Sequence, residues 1–562
     1  MGGGIARRAP SRAGFRGPVV AGKLDRMTKP PEDAERSAAA LPGPVAWSAR
    51  LSWAAVLSFV PAALWLLVVL APPLNHDVAA ILNFSDRWLG GDRLYRDLID
   101  VNPPLIFVLT LLPAFIASWT PLDGPQALLL CVLLACGGSW RMALLLRRGR
   151  AEGAVESALL DCAIPLAMVI VGYDFAQREH LMAVVAIPYA LLAARRAEGL
   201  ATSRRLALGI ALFAALGFAL KPHFLAVPAL IELVVVVHRI GRLGRRTGLR
   251  ATLRDPVPWL MAVVWCAYLA SIPLLFPDYF SYVVPLVWSY YVDLGVFTWW
   301  NVLLASQLGT SAIGLAILLP LAFRRRSPVR VQTLAAATGG AFLSAWVQHK
   351  GWSYHVAPVL ALGSLTGMLM AACWADAALT PARARASARS FAAVLVGVLS
   401  VAVAYGGEAP WREFDFRWDA AGVITSEMRQ YAYGERLLVL SPDVFPVYPA
   451  LNYARAQSTL RTMTLWLLQG VYRHCTAPDA PRYRETWEMS RAEFFVYRTV
   501  AEDFAAAPPS VVLVARWPGI PDCNGVFDFI EYFRRHPLFD EAFSAYHLTA
   551  EAAGYQIFTR ED

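Results

Sequence analysis

Long apolar stretches alternate with short polar connectors along most of this chain. Eleven stretches are long and apolar enough to predict helices that cross a ~30 Å hydrocarbon core. They are Leu51–Pro72, Ala127–Leu146, Val155–Val171, His180–Ala194, Leu206–Leu220, Phe224–Val237, Val257–Phe276, Val302–Phe323, Val331–Val347, Val356–Trp374 and Phe391–Ala404. A twelfth, Pro104–Trp119, is short, carries Pro113 and sits between exposed segments, which predicts an interfacial or re-entrant helix. Between the first two spans, Val78–Leu89 has amphipathic spacing, with Ile81, Leu82, Phe84, Trp88 and Leu89 available to lie in the interface. On that reading Asp86, Arg87, Asp92 and Arg93 form a solvated polar face.

The connectors orient the pattern. With the N-terminus in the cytosol and eleven spans, twenty arginines fall in five consecutive inner loops, from Arg147–Arg150 to Arg383–Arg389. Counting Pro104–Trp119 as a span would put Arg147, Arg148 and Arg150 outside, so it is left out. Residues 1–50, with Arg7, Arg8, Arg12 and Arg16 among Gly and Pro, read as a disordered cytosolic tail. Leu51–Pro72 reads as an uncleaved signal anchor. Residues 51–404 then form a transmembrane domain, and 405–562 an extracytoplasmic one. In the latter, Arg436–Leu440, Ser510–Ala515 and Tyr555–Thr559 predict short strands among helical patterns, hence a small α/β or α+β module.

Composition agrees: 57% of the 562 residues are hydrophobic and only 17% charged, against roughly 25% charged in a soluble domain. A soluble enzyme, a disordered protein and a disulfide mini-domain are excluded. The net charge of +9 reflects topology arginines between apolar runs, not a nucleic-acid surface. The expected setting is the inner or plasma membrane. Five cysteines lie in spans, where a thiol acts as a small hydrophobe. Cys475 and Cys523 alone lie in the external module, where an oxidising compartment would allow them to pair.

The candidate chemistry gathers on the outer side. Asp77, preceded by His76, is the first carboxylate after the first span, at a depth where an unpartnered charge is costly and function is the default reading. The same loop continues through Gly91-Asp92-Arg93-Leu94-Tyr95-Arg96-Asp97-Leu98-Ile99-Asp100-Val101-Asn102-Pro103-Pro104. A second loop holds Tyr173, Asp174, Gln177, Arg178, Glu179 and His180; a third holds Lys221, and a later one Lys350 and His355. Carboxylates with several cations at the rim of an apolar bundle suit a base that activates a hydroxyl, with Arg and Lys holding a phosphate that leaves as an anion. The lipid tail of such a substrate would lie along the helices. No glycine-rich phosphate loop points to a soluble nucleotide. Trp299, Trp300, Trp352 and Tyr354 suit either sugar stacking or an interfacial belt.

The first-loop acid, the Tyr95-Arg96-Asp97…Asn102-Pro103-Pro104-Leu105 stretch and Gln177-Arg178-Glu179-His180 resemble the GT-C superfamily over residues 50–405. These are polyprenyl-phosphate-sugar-dependent membrane glycosyltransferases, including the protein O-mannosyltransferases and the lipid A aminoarabinose transferases. The resemblance implies an inverting sugar transfer from a polyprenyl-phosphate donor to a hydroxyl on a glycan, lipid or protein acceptor at the extracytoplasmic face. Asp77 takes the place of the catalytic carboxylate and Asp174 or Glu179 that of the second-loop acid. Arg178, Lys221, Lys350 and His355 would hold the donor phosphate, with His76, Tyr95, Arg96, Asp97 and Asn102 in support. Many members carry an acidic pair where this chain has His76-Asp77, so a divalent metal stays open as a cofactor but no acidic pair indicates one. Two alternatives stay open: a ligase or polymerase of lipid-linked glycans, which need not use Asp77 as base, and a transporter or flippase. The latter draws on Asp161 and Glu232, which lie inside spans.

Overall fold

The computed structural model describes residues 52–292, 294–295, 297–406, 415–474, 481–522 and 525–560. The N-terminal tail and the Cys475–Cys523 pair lie outside the described residues.

Helices occupy all eleven apolar runs. Ten helices up to the middle of the chain are α1 (Trp53–Leu70), α2 (His76–Leu89), α3 (Pro104–Trp119), α4 (Gly124–Arg147), α5 (Ala154–Val169), α6 (Arg178–Glu198), α7 (Arg204–Phe218), α8 (Ala226–Leu243), α9 (Arg245–Leu253) and α10 (Pro256–Leu275). Gln307–Ala322, Val329–Gln348, Ser353–Ala378 and Pro381–Gly406 complete the bundle. Seven described helices are long and apolar enough to cross a membrane. Of the other four runs, α5, α7 and Gln307–Ala322 have 15 or 16 residues, and Val329–Gln348 buries Gln332, Thr333, Thr338 and Ser344 along its length.

The bundle is built around α6, whose 21 residues are almost all buried and which packs on α4, α5, α7, α8, Val329–Gln348 and Ser353–Ala378. An apolar helix wrapped by others needs no lipid-facing side, which is why its sequence carries no amphipathic stripe. It ends where Gly199 takes a left-handed φ of 76°, with Arg195 and Arg196 in its last turn favourably placed against the helix dipole. Near this end Arg196 pairs with Glu232 (2.6 Å) and Asp255 (2.7 Å). Arg147 likewise pairs with Asp161 at 2.8 Å. Both in-span acids are thus neutralised by arginines.

One element differs from the expectations for the first outer loop. Helix α2 is not an interfacial helix: Val78–Ser85 and Arg87 are buried, because the C-terminal module covers it. Arg87 is no solvated charge. It donates to Asp92 (2.9 Å) and to the Leu460 carbonyl (2.7 Å). Asn83 donates to the Ala456 carbonyl, and Asn452 to that of Ala79, both at 3.0 Å. Helix α3 buries Leu105, Ile106, Phe107, Thr110, Pro113 and Ala114, packing on α2 and α4, and exposes Val108, Leu109, Leu112, Phe115 and Trp119.

The C-terminal module holds a five-stranded mixed sheet in the order β2-β1-β3-β5-β4. Its strands are β1 (Arg436–Leu440), β2 (Gln457–Ser458), β3 (Val511–Ala515), β4 (Tyr546–Ala552) and β5 (Tyr555–Arg560). β1 runs parallel to β2 and β3, with Leu437 opposite Val511 and Leu440 opposite Val514; β5 is antiparallel to β3 and β4. Side chains alternate faces. Leu437, Val439, Val511 and Leu513 join the core continuous with the membrane bundle, whereas Leu438, Leu440, Val512 and Val514 join a separate aromatic-rich core. The three predicted strands are present. β2 and β4 were not foreseen, one having two residues and the other being largely exposed.

Candidate functional site

The site forms where α2, the 172–177 turn, the start of α6, the Lys221 turn and the start of Ser353–Ala378 meet. Asn75 caps α2 by accepting from the Asp77 backbone N–H at 3.1 Å, which sets Asp77 in the first helical turn. The second loop tightens into a short 3-10 turn, Gly172–Asp174, before α6 starts at Arg178. Gln177 crosses between loops, its amide donating to Asn75 Oδ1 (2.7 Å) and Asp77 Oδ2 (3.3 Å). Arg178 Nη2 lies 3.7 Å from Asp77 Oδ2, so charge binds the two without a direct hydrogen bond.

The far side of Arg178 is held by the first loop. It donates to Asn102 Oδ1. Asn102 in turn donates its backbone N–H and its side-chain amide to Asp100 Oδ1, each at 2.8 Å. Tyr95 adopts a left-handed φ of 69°, a conformation that costs a non-glycine residue about 1–2 kcal/mol, and its hydroxyl donates to the Asn102 carbonyl at 2.6 Å. The order is Tyr95 and Asp100, then Asn102, Arg178 and Asp77.

His76 flanks Asp77 on the other side. Tyr173 Oη accepts from the His76 backbone N–H (3.2 Å) and lies 2.8 Å from Nδ1. With the hydroxyl donating to Nδ1, the Nε2 proton faces Asp77 Oδ1, 3.8 Å away. Burial raises the Asp77 carboxyl, but His76, Arg178, the Gln177 hydrogen bond and Lys221 outweigh it and hold it below its ordinary value. Asp100 goes the other way: burial pushes it up against the pull of Asn102 and Arg178.

Glu179 forms a second, tighter group. Its Oε1 accepts from Lys221 at 2.6 Å and lies 3.6 Å from His355 Nε2; Lys221 also donates to Gln348 at 3.2 Å. Burial pushes the Lys221 ammonium down to about 8 against the pull of Glu179. Asp174 accepts from Asn75 (3.5 Å) and the Ser353 hydroxyl (3.3 Å).

Among the sequence candidates, then, Asp77, His76, Asn102, Tyr95, Asp174, Arg178, Glu179, Lys221 and His355 come together. Lys350 takes a different position, its ammonium 4.0 Å from the Tyr291 ring and 4.7 Å from that of Trp352 while donating to the Leu294 carbonyl. Arg96 and Asp97 are engaged elsewhere, Arg96 with Asp278 (2.7 Å) and Asp97 with Arg93 (2.9 Å). Trp352 stacks on His355, and Tyr354 lies under Lys221. Trp299 and Trp300 pack on Trp346 instead. Sequence reasoning passed over Asn75, Asp100, Gln177 and Gln348 as site members. Asn75 had one legible signal, an Asn in N-cap position two residues before the key acid.

Beside Arg178 the bundle forms a half-open apolar pocket of about 210 Å3. Val78, Ile106, Thr110, Val132, Val184 and Phe213 are among its walls, and Gln177 and Arg178 are polar groups on its lining. Arg178 Nε and Gln177 Oε1 are buried with no hydrogen-bond partner among the described residues. Among the described residues, no three His, Cys, Asp or Glu side chains are grouped to hold a metal ion.

No family model and no curated protein matches the chain. Solved structures do. ArnT from Cupriavidus metallidurans in the apo state superimposes with a TM-score of 0.54 at 13% identity, over 90% of this chain and 97% of that one. The same protein bound to undecaprenyl phosphate gives 0.51 at 12% identity, over 91% and 98%. The fold is like that of ArnT. With seven described helices long and apolar enough to cross a membrane and an ArnT-like fold, the chain is an integral membrane protein, and its C-terminal module sits directly on the first loop. At 90% coverage the likeness of fold takes in most of the C-terminal module as well as the helical bundle.

Proposed function

We propose that this protein is an inverting glycosyltransferase that moves a sugar from a polyprenyl-phosphate donor to a hydroxyl acceptor at the extracytoplasmic face. The observation that carries this reading is the meeting of Asp77 and Arg178, from separate loops, with Arg178 also lining an apolar pocket. A carboxylate base, a buried guanidinium with an unbonded N–H and a greasy recess are what a lipid phosphate sugar needs at its reacting end. That ArnT was solved with undecaprenyl phosphate bound supports the same donor class.

In the reaction the acceptor oxygen attacks the anomeric carbon as the bond from that carbon to the phosphate oxygen breaks. The electron pair leaves with the polyprenyl phosphate, and Asp77 takes the hydroxyl proton. A carboxylate held low is a weak base. The arriving phosphate corrects this by drawing Arg178 to itself, and a 3.7 Å pair without a hydrogen bond is readily loosened. Lys221 supplies further positive charge as the phosphate leaves and His355 a ring N–H, with Glu179 beside both.

The test is release of polyprenyl phosphate from a panel of lipid-linked sugars by the purified protein, with membrane extract supplying acceptors. Turnover by the wild type and its loss in Asp77→Asn supports the reading. Full activity of Asp77→Asn on a working donor refutes Asp77 as base and favours the ligase alternative.

A further inference from the structure

The C-terminal module turns a particular edge of its sheet toward Asp77. β1 and β2 are parallel, and the segments leaving their carboxyl ends both reach the first loop. After β2, the Arg461 carbonyl accepts from Ile99 N–H at 2.6 Å. After β1, residues 441–446 run to His76, where the Phe445 ring meets the imidazole edge-on at 6.2 Å. Crevices at the carboxyl ends of parallel strands are where α/β sheets bind ligands. Here the segment that follows β1 reaches the residue next to Asp77.

The 441–446 segment is built rather than loose. Ser441 Oγ accepts from the Asp443 N–H (3.2 Å), donates to the Asp443 carbonyl (3.1 Å) and lies 2.8 Å from Tyr555 Oη on β5. The Ser441 carbonyl accepts from Leu465 N–H at 2.8 Å. Gly519, after β3, has a φ of +65° and approaches so closely that a Cβ there would lie 2.8 Å from Pro442. A few residues on, the Tyr453 hydroxyl accepts from Leu74 N–H at 2.8 Å, locking the module two residues before His76. This framework presents the exposed carboxylate of Asp443 and the half-buried ring of Phe445. Asp443 lies within electrostatic reach of His76.

We propose that Asp443 and Phe445 form the acceptor subsite, and that they recognise a sugar ring of a glycan acceptor. The inference rests on the transferase reading above. A carboxylate offers two acceptor oxygens to neighbouring hydroxyls, and an aromatic ring offers an apolar face for the C–H side of the ring. Asp77 follows His76 along the chain, so a glycan seated there offers a hydroxyl to the base while the donor occupies the Arg178 side.

The experiment is retention of the full-length, detergent-solubilised protein on an array of immobilised glycans. Wild type, Asp443→Ala, Asp443→Glu, Phe445→Leu and Asp77→Asn are compared at matched melting temperature. Wild type and Asp77→Asn are expected to retain the same glycans, Asp443→Ala and Phe445→Leu to lose about tenfold or more, and Asp443→Glu to recover part. With a retained glycan as acceptor, Asp443→Ala should raise its KM about tenfold and leave kcat within about twofold. Retention unaltered by Asp443→Ala and Phe445→Leu overturns the subsite, as does a wild type that retains no glycan or uses only peptides. Retention that depends on Asp443 in a protein that turns over no donor sinks the transferase reading instead and leaves the subsite standing.

Discussion

Replacing Arg178 by Gln is the sharpest probe of the proposed chemistry, because one side chain is assigned two separable effects. The guanidinium lies 3.7 Å from Asp77, a separation at which opposite charges in a partly buried setting attract by about 4 kcal/mol. His76, Gln177 and Lys221 remain beside Asp77 in the variant, so the net loss of support for its carboxylate is smaller, about 2–3 kcal/mol. If Arg178 also stabilises the departing phosphate, its removal costs on the order of 10²–10³ in kcat, as for other single donors to a developing anion. The sign of the pH effect follows. Burial favours the protonated acid and the cations oppose it; with one cation gone, Asp77 takes up its proton at higher pH. Polyprenyl phosphate release, measured against pH with a working donor, should therefore fall in amplitude and show its acid limb at higher pH. Arg178→Lys, which keeps the charge but loses the planar guanidinium that reaches Asn102, should restore the acid limb more fully than the rate. A Gln variant with kcat within threefold of wild type and an unmoved acid limb would refute both roles.

Three further outcomes follow from the geometry. Lys221, pushed down to about 8 by burial, is charged below that pH and neutral above it, so donor turnover should decline as pH rises through about 8. Lys221→Arg should remove that alkaline limb, and Lys221→Met should lower turnover at every pH. Arg87→Met keeps the apolar stem but removes the charged hydrogen bond to the Leu460 carbonyl, worth ~1.5–3 kcal/mol; thermal unfolding in detergent should show a lower midpoint, and an unchanged one would mean that α2 does not depend on this contact. Gly340→Ala places a Cβ 2.5 Å from the Val227 Cα, where helix backbones meet with nothing flexible to yield. Overpacking of that kind costs ~1–3 kcal/mol, read as a lower melting temperature, whereas Gly137→Ala on α4, with open space at its Cβ, should be neutral or stabilising.

Much of the architecture was legible in the chain because lipid leaves the backbone little choice. An apolar stretch in a bilayer must satisfy its own N–H and C=O groups, so each of the eleven runs is helical whatever packs around it. Depth was legible for the same reason: Asp77 stands out because a charge directly after an apolar helix is costly. The strands at 436–440 and 555–559 were visible as short runs containing Val, Leu or Ile bounded by Pro or Gly. What the sequence did not reveal is which polar residues meet. Arg87 looks solvated in a polar stretch, yet it is buried because residues more than 370 positions later fold over it. Asp100 and Gln177 join Asp77 and Arg178, whereas Arg96 and Asp97, their neighbours in the same motif, turn to Asp278 and Arg93. Lys221 and Lys350 look alike as lone outer lysines, but one is fixed by Glu179 and the other by two aromatic rings. Span and depth depend on solvation, a property of each segment by itself. Partnership depends on which segments pack, and only the folded chain decides that.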